Sequence, residues 1–575
     1  MITADSTPLP PPPNEVDFLV VGGGPVGLLA ANLAVQAGFT VRILDIETEP
    51  NHWGRGDWIH GRTLELLERA NLASELLKTG VKVEKMTSYK NGTIQKEIPF
   101  VPEDAESKYQ YLLCVGQHIT ESSLQSQLSE HDVQVERPST VVQMTREADS
   151  TYPVIATVMH LGKGSEQVRC KYLLGCDGAH SDIRQQLNIA YEGTTTETHA
   201  GVLDALIRTN FASRKEVCLV QSDHAKTISM FPRENGLTRI FVHFNENEHE
   251  LRKEQHNRNK IQVEDIQREA KRALLPHRIE FLGILYWTVY VVGQRSASQL
   301  ASEDHRVFLC GDAAHSQSPT LGQGVNTGFG DIFNLIWKIC LVEKGQMNRS
   351  LLSSYHYERW PIAQKVLEVD KIASKAAAGH EATDYCQVVE KHRSFTSGFG
   401  IHYTAHPHLV TTSEEDTNYH LQPGMRAPNF KVFSVQTGKK IRLFDIQQAV
   451  PSWLTFTLLV LVHDIRVTHG AVKTLREHLQ PHQETFPATQ VMLVTTSTMD
   501  QIQSVAMDTS CLVMDKLNQA QCHRAYHQTS KHSSNHLIQV VVVRPDGYIG
   551  TICRHENDGV YLSEQVAHYF NQLSL

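Results

Sequence analysis

The chain has 575 residues, 41% hydrophobic and 20% charged, an ordinary globular composition with room for about two to four domains. A formal net charge of −9 and a pI near 6.4 do not point to nucleic acid or an anionic membrane as a partner. No apolar run reaches the ~18 residues that span a bilayer. Residues 1–15 carry Pro8 and Pro10 to Pro13 and lack a basic start or an apolar core. They predict a disordered or polyproline tail, not a signal peptide, and hence a cytoplasmic protein. The ten cysteines include no C-x-x-C pair, so they read as buried thiols in a reducing compartment. Among 31 histidines no metal-ligand spacing occurs, and His402, His406 and His408 read as a loop cluster, with no metal expected.

Residues 17–21 (DFLVV) predict a buried strand, followed at once by Gly22, Gly24 and Gly27 in G-x-G-x-x-G spacing. Leu28, Leu29, Leu33 and Ala34 then give a helical apolar face, and residues 41–44 a second strand that ends in Asp45. Each part has a task in holding a dinucleotide. Gly22 makes the turn, Gly24 admits the pyrophosphate, and Gly27 lets helix and strand pack closely. The helix N-terminus attracts phosphate, and Asp45 can accept from a ribose hydroxyl.

Further on, a strand at residues 171–176 ends in Asp177-Gly178, with Arg184 following. Another, at residues 306–310, ends in Gly311-Asp312 and leads through Pro319 to Gly324-Val325-Asn326 and an apolar helix. These three motifs, in this order, resemble those of the single-component flavin aromatic hydroxylases, relatives of the p-hydroxybenzoate and phenol hydroxylases. The resemblance implies FAD as cofactor. Asp312 would hold the ribityl chain, Asp177 and Arg184 would serve the DG motif, and Gln117 would lie beside the flavin. The helix that opens at Gly324, Val325 and Asn326 would point its positive end at the isoalloxazine ring.

Residues 54–67 (GRGDWIHGRTLELL) and 231–244 (FPRENGLTRIFVHF) resemble active-site segments of the phenol hydroxylase branch. This implies Arg62 at FAD, Asp57 and Arg233 as catalytic residues, and Phe241 and Pro319 at the substrate. The branch commonly carries a tyrosine where this chain has Phe241, which has no hydroxyl to offer a phenol. A larger, polyketide-type phenol therefore becomes the expected substrate.

The C-terminal part predicts buried strands at 453–462 and 490–496, a hairpin across Arg544-Pro545-Asp546-Gly547, and a last amphipathic helix at 560–573. This order resembles a thioredoxin-like domain without its cysteine pair, and a packing or dimer-forming role follows. The expected fold is α/β. A Rossmann-like FAD domain (16–195 and 296–395) holds an inserted antiparallel substrate sheet (196–295). A linker (396–422) leads to the thioredoxin-like domain (423–575).

The implied reaction is NAD(P)H- and O2-dependent hydroxylation of a phenolic ring through a flavin C4a-hydroperoxide, in a homodimer. The rival readings are a halogenase or Baeyer–Villiger oxygenase and a non-catalytic flavin-binding paralogue. No W-x-W pair and no second glycine fingerprint supports the first, and the presence of Asp57, Asp177 and Asp312 weighs against the second.

Overall fold

The structure is a computed structural model. It describes residues 13–53, 56–211, 215–223, 225–244, 261–377, 384–404, 409–411, 420–445, 452–480, 486–505, 508, 510–515, 520–526 and 534–574. Most of the proline-rich start, and His406 and His408, lie outside the described residues.

The first sheet is built on the strand Glu15–Val21, where Phe18, Leu19 and Val20 are fully buried. Each such side chain contributes about 1.5–3 kcal/mol of burial. This strand pairs in parallel with Val41–Leu44 on one side and Gly164–Gly175 on the other. Val307–Leu309 pairs in parallel with Gly164–Gly175 in turn. Between Glu15–Val21 and the next strand runs the helix Pro25–Gln36, started by Pro25 in its first turn and followed by Gly38 at φ +89°. The register places Val21 beside Gly175 and Gly175 beside Leu309. The three motifs therefore emerge side by side at the carboxyl ends of their strands, where open α/β sheets bind ligands.

The second sheet has eight strands and is mostly antiparallel. Its centre is the pair of 19-residue strands Tyr191–Thr209 and Ile279–Ala297, flanked by Thr238–Phe244 and Ala225–Pro232. It also takes in the hairpin Lys85–Lys90 and Thr93–Pro99 from the segment read as part of the FAD domain. Asn91 and Gly92, both at positive φ, make the tight turn that lets those strands pair.

The long helix Gly324–Glu343 packs on Pro25–Gln36 and on the helix Ser354–Ala377. The C-terminal domain is a seven-stranded mixed sheet around Phe456–Val462, with the helices Ile465–Leu479 and Gly559–Ser574 packed on each other, a thioredoxin-like arrangement. Its last hairpin, Leu537–Val543 and Ile549–Glu556, turns through Gly547 at φ +79°. Among the described residues no helix is long and apolar enough to cross a membrane.

Candidate active site

The glycine loop fits a pyrophosphate. Gly22 sits at φ +111°, and a Cβ there would lie 2.2 Å from the Cys176 carbonyl oxygen. A Cβ on Gly27 would lie 2.0 Å from the Gly22 carbonyl. Gly24 differs: a Cβ there meets no protein atom within 4 Å, so the loop faces open space at that point. Gly24 also caps the helix without any side-chain bond, which leaves the first amides to a ligand. Asp45 stands beside this loop, its Oδ2 accepting from Arg137 at 3.0 Å.

Asp177 uses Oδ2 to accept from the Ile183 amide at 3.1 Å, while its Oδ1 is buried without a partner. Burial pushes this carboxyl above the ordinary range. Gly311, at φ +59°, donates its amide to Asp331 Oδ2 at 3.0 Å, and Asp312 follows on an exposed turn. The helix Gly324–Glu343 begins beside it with no side-chain cap, so the amides of Gly324, Val325 and Asn326 end a 20-residue dipole. Pro319 opens the short turn that leads into this helix. Gln117 Oε1 accepts from the Gly56 amide at 2.9 Å, next to Asp57. Together, the open glycine loop, the free carboxylate oxygen and two uncapped helix starts fit FAD.

The side chains of three residues expected at the cofactor are bonded to protein groups. Arg62 donates to Glu65 at 2.9 Å and to the Asp546 carbonyl at 2.6 Å, which places it at the junction with the C-terminal domain. Arg184 donates to the carbonyls of Ala313 (2.9 Å) and Ala179 (3.0 Å) and lies 3.8 Å over the Tyr191 ring, so it ties the second and third motifs together. The Asn326 side chain accepts from the His60 amide (2.9 Å) and Thr63 (2.8 Å) and donates to the carbonyls of Trp58 (2.9 Å) and Gly322 (2.7 Å). That exhausts its hydrogen-bonding capacity and leaves only its backbone amide for a ligand.

Asp57 and Arg233 come together in a buried charge cluster with three residues that the sequence reading missed: Asp204, Glu234 and Arg239. Arg233 grips Glu234 through Nε (3.0 Å) and Nη2 (2.7 Å) and reaches Asp204 through Nη1 at 3.3 Å. Arg239 holds Asp204 with a fork of two 2.7 Å bonds. The other Glu234 duty is to accept the Gly116 amide at 3.1 Å, one residue before Gln117. A Cβ on Gly116 would lie 2.4 Å from Arg233 Nη2, so glycine lets the guanidinium close in.

The sheet explains the missed members. Asp204 faces Arg239 across two antiparallel strands, and Val202 faces Phe241 two positions away on the same side. An acid inside the apolar run GVLDALI and an arginine two residues before Phe241 were the available signals. Three carboxylates and two guanidiniums leave one excess negative charge. Asp57 is the odd member: its Oδ2 lies 3.4 Å from Arg239 Nε and 3.6 Å from Arg233 Nη1 and has no hydrogen-bond partner. Burial pushes its carboxyl up, Arg239 and Arg233 pull it down, and Asp204 and Glu234 add to the rise, which prevails. Aromatic rings stand beside the cluster. Trp58 packs edge-on against Phe231 at 4.8 Å, and Phe231 against Phe241 at 5.3 Å.

Comparison with known proteins places these features in context. Residues 15–370 match the family model described as FAD binding domain, and residues 401–575 match phenol hydroxylase, C-terminal dimerisation domain. The chain is 29% identical over 488 residues to phenol 2-monooxygenase fsqG of Aspergillus fumigatus, covering 82% of this chain and 80% of that one. It is 29% identical over 508 residues to 3-hydroxybenzoate 4-monooxygenase of Comamonas testosteroni, covering 79% and 76%. Among solved structures, the flavin-dependent monooxygenase PieE with FAD and substrate superposes with a TM-score of 0.73 at 18% identity, covering 98% of this chain and all of that one. Aklavinone-11 hydroxylase with FAD and aklavinone gives 0.72 at 18%, covering 97% and 98%.

Proposed function

The chain belongs to the FAD-binding-domain family of flavin aromatic monooxygenases, and from that premise we propose that it hydroxylates a neutral phenol, using NAD(P)H as reductant and O2 as oxygen source. FAD, when bound, supplies the chemistry: it accepts electrons from NAD(P)H and activates O2 as an electrophile. The protein's part is to present an electron-rich ring and to handle its proton.

The observation that carries this reading is the buried, unbonded Oδ2 of Asp57 between two guanidiniums and beside the Trp58–Phe231–Phe241 rings. A phenol hydroxyl seated there donates to Asp57 Oδ2. With its pKa raised, Asp57 is suited to take that proton as general base. Arg233 and Arg239 then stabilise the phenolate by charge.

The same cluster argues for a substrate without a carboxylate. Arg233 spends its donors on Glu234 and Asp204, and Arg239 gives a fork to Asp204. A second anion would enter a cluster that already carries excess negative charge. The apolar ring wall supports an aromatic substrate. The dimerisation-domain match supports a homodimer. The test is to incubate the FAD-loaded protein with NAD(P)H, O2 and a panel of phenols. Reductant use stimulated by a phenol, with a product heavier by one oxygen atom, supports the reading; reductant use without any oxygenated product removes it.

A further inference from the structure

We propose that the hairpin tip at residues 544–548 of the C-terminal domain is a positioning element of the flavin site, holding the start of the helix Gly324–Glu343 and the Gly311-Asp312 turn in register. This gives the domain a task besides dimerisation, and it rests on the reading that FAD binds at the glycine loop.

The tip sits in the body of the FAD domain. Arg544 is fully buried and Asp546 is 2% exposed. Arg544 forks onto Glu358 of the helix Ser354–Ala377 and onto Asp546, the latter at 3.1 and 2.6 Å. Glu358 also accepts from Lys338 (2.7 Å) and Asn334 (2.7 Å) of the helix Gly324–Glu343. Gly547 allows this approach: at φ +79°, a Cβ there would lie 2.8 Å from Arg62 Nη2 and 3.0 Å from Arg69 Nη1.

Two routes run from the tip to the cofactor motifs. On one, Asp546 accepts Arg62 through its carbonyl at 2.6 Å. Arg62 belongs to the helix Gly61–Arg69, whose Thr63 donates to Asn326 at 2.8 Å in the first turn of the long helix. On the other, Tyr548 packs its ring on Tyr403 at 4.3 Å, and the Tyr403 hydroxyl accepts from Arg359 at 3.2 Å. Arg359 donates to Asp331 at 2.7 Å, and Asp331 receives the Gly311 amide and His315. Between the routes lies a cavity of about 40 Å³ lined in part by Asn326, Arg359, Tyr403 and Tyr548.

The choice of residues argues for registration over adhesion. A buried ion pair adds little net stability compared with apolar side chains of the same volume. A guanidinium fork fixes the direction and distance of both its partners.

The test uses the full chain reconstituted with FAD. The variants are Arg544→Lys, Arg544→Met and the milder Tyr403→Phe, which removes a single hydroxyl. Light scattering gives the oligomeric mass. FAD titration, visible circular dichroism and the flavin midpoint potential report on the site. The proposal expects unchanged mass and an FAD Kd raised about tenfold for Arg544→Lys, the effect of losing one charge-assisted hydrogen bond. Arg544→Met should bind more weakly still. The flavin dichroism should change, and the potential should fall as the positive helix end moves off the ring. Tyr403→Phe should shift the same readouts in the same direction, and it decides the matter alone if the Arg544 variants do not fold. Folded variants with wild-type Kd, dichroism and potential overturn the proposal, even if they melt earlier. A wild-type chain that binds no FAD overturns the cofactor reading as well.

Discussion

Asp57 Oδ2 stands 3.6 Å from Arg233 Nη1 and accepts no hydrogen bond from it. The two are paired by charge alone, because Arg233 directs its donors to Glu234 and Asp204. A buried carboxylate left in this state costs stability. Under the proposed function, this unbonded oxygen is the acceptor for the phenol hydroxyl.

The first prediction concerns pH. The fold raises the Asp57 carboxyl above its ordinary value of 3.8, so the folded chain holds that proton more tightly than the unfolded one. The stability that this group contributes is present in acid and is lost as pH rises through the raised value, by about 1.4 kcal/mol for each tenfold difference in proton affinity between the folded and unfolded chain. In Asp57→Asn that contribution is gone. Melting curves of the two proteins should diverge between acid and neutral pH, with the variant losing less stability. Parallel curves would show that Asp57 is not the strained member.

A second prediction separates two glycines of one loop. Gly24→Ala adds a methyl to open space, so the apo protein should melt within about 0.5 kcal/mol of wild type. FAD affinity should nevertheless fall more than about tenfold, because the methyl occupies the pyrophosphate's approach. Gly27→Ala drives a methyl into the Gly22 carbonyl and should destabilise the apo protein by about 1–3 kcal/mol. Equal melting of the two variants would contradict this picture of the loop.

Asp331 supplies a third. It is fully buried and accepts from Gly311, His315 and Arg359. Burial pushes its carboxyl up, but His315 and Arg359 outweigh that and hold it below the ordinary range. The stability it contributes is present above the ordinary carboxylate range and lost as pH falls through the depressed value. Asp331→Asn should cost about 3–5 kcal/mol at neutral pH by leaving Arg359 buried and unpaired. Chemical denaturation of the apo protein measures it, and a loss under about 1 kcal/mol would mean that Arg359 finds another partner.

The fourth concerns substrate charge. Neutral phenols should stimulate NAD(P)H consumption at least about 100-fold more, per unit concentration, than the matching hydroxybenzoates, the ratio expected from about 3 kcal/mol of unpaired anion burial. Comparable kcat/KM for 3-hydroxybenzoate would mean that one arginine leaves its carboxylate to receive the substrate.

Much of this is legible in local sequence. A strand, a spaced glycine loop and a helix read as one unit because the signal is contiguous from Asp17 to Asp45. The hairpin Lys85–Lys90 and Thr93–Pro99 has a local signal too, in the Asn91-Gly92 turn, but a division of the chain into contiguous stretches hides its membership of the eight-stranded sheet. Asp204 and Arg239 are harder. Their meaning depends on a register between strands far apart in sequence, and a single strand read alone shows only a charge among apolar residues. Arg62 is ambiguous in sequence because a helix-start arginine looks the same whether it faces a cofactor or a neighbouring domain. The Pro-Asp-Gly turn likewise gives its shape but not its burial, which is set by Glu358 and Lys338 on helices of another domain.

The proposed role of Asp57 is to receive the proton of a phenol while the ring is hydroxylated. Its most direct test is the partition between product and peroxide in Asp57→Asn, measured with FAD bound, NAD(P)H, O2 and the best phenol of the panel. The expected result is FAD binding and reductant oxidation retained, hydroxylated product reduced by about 10²–10⁴-fold, and the missing turnover recovered as H2O2. Hydroxylation at the wild-type rate with no additional peroxide would contradict the account and assign the proton to another group.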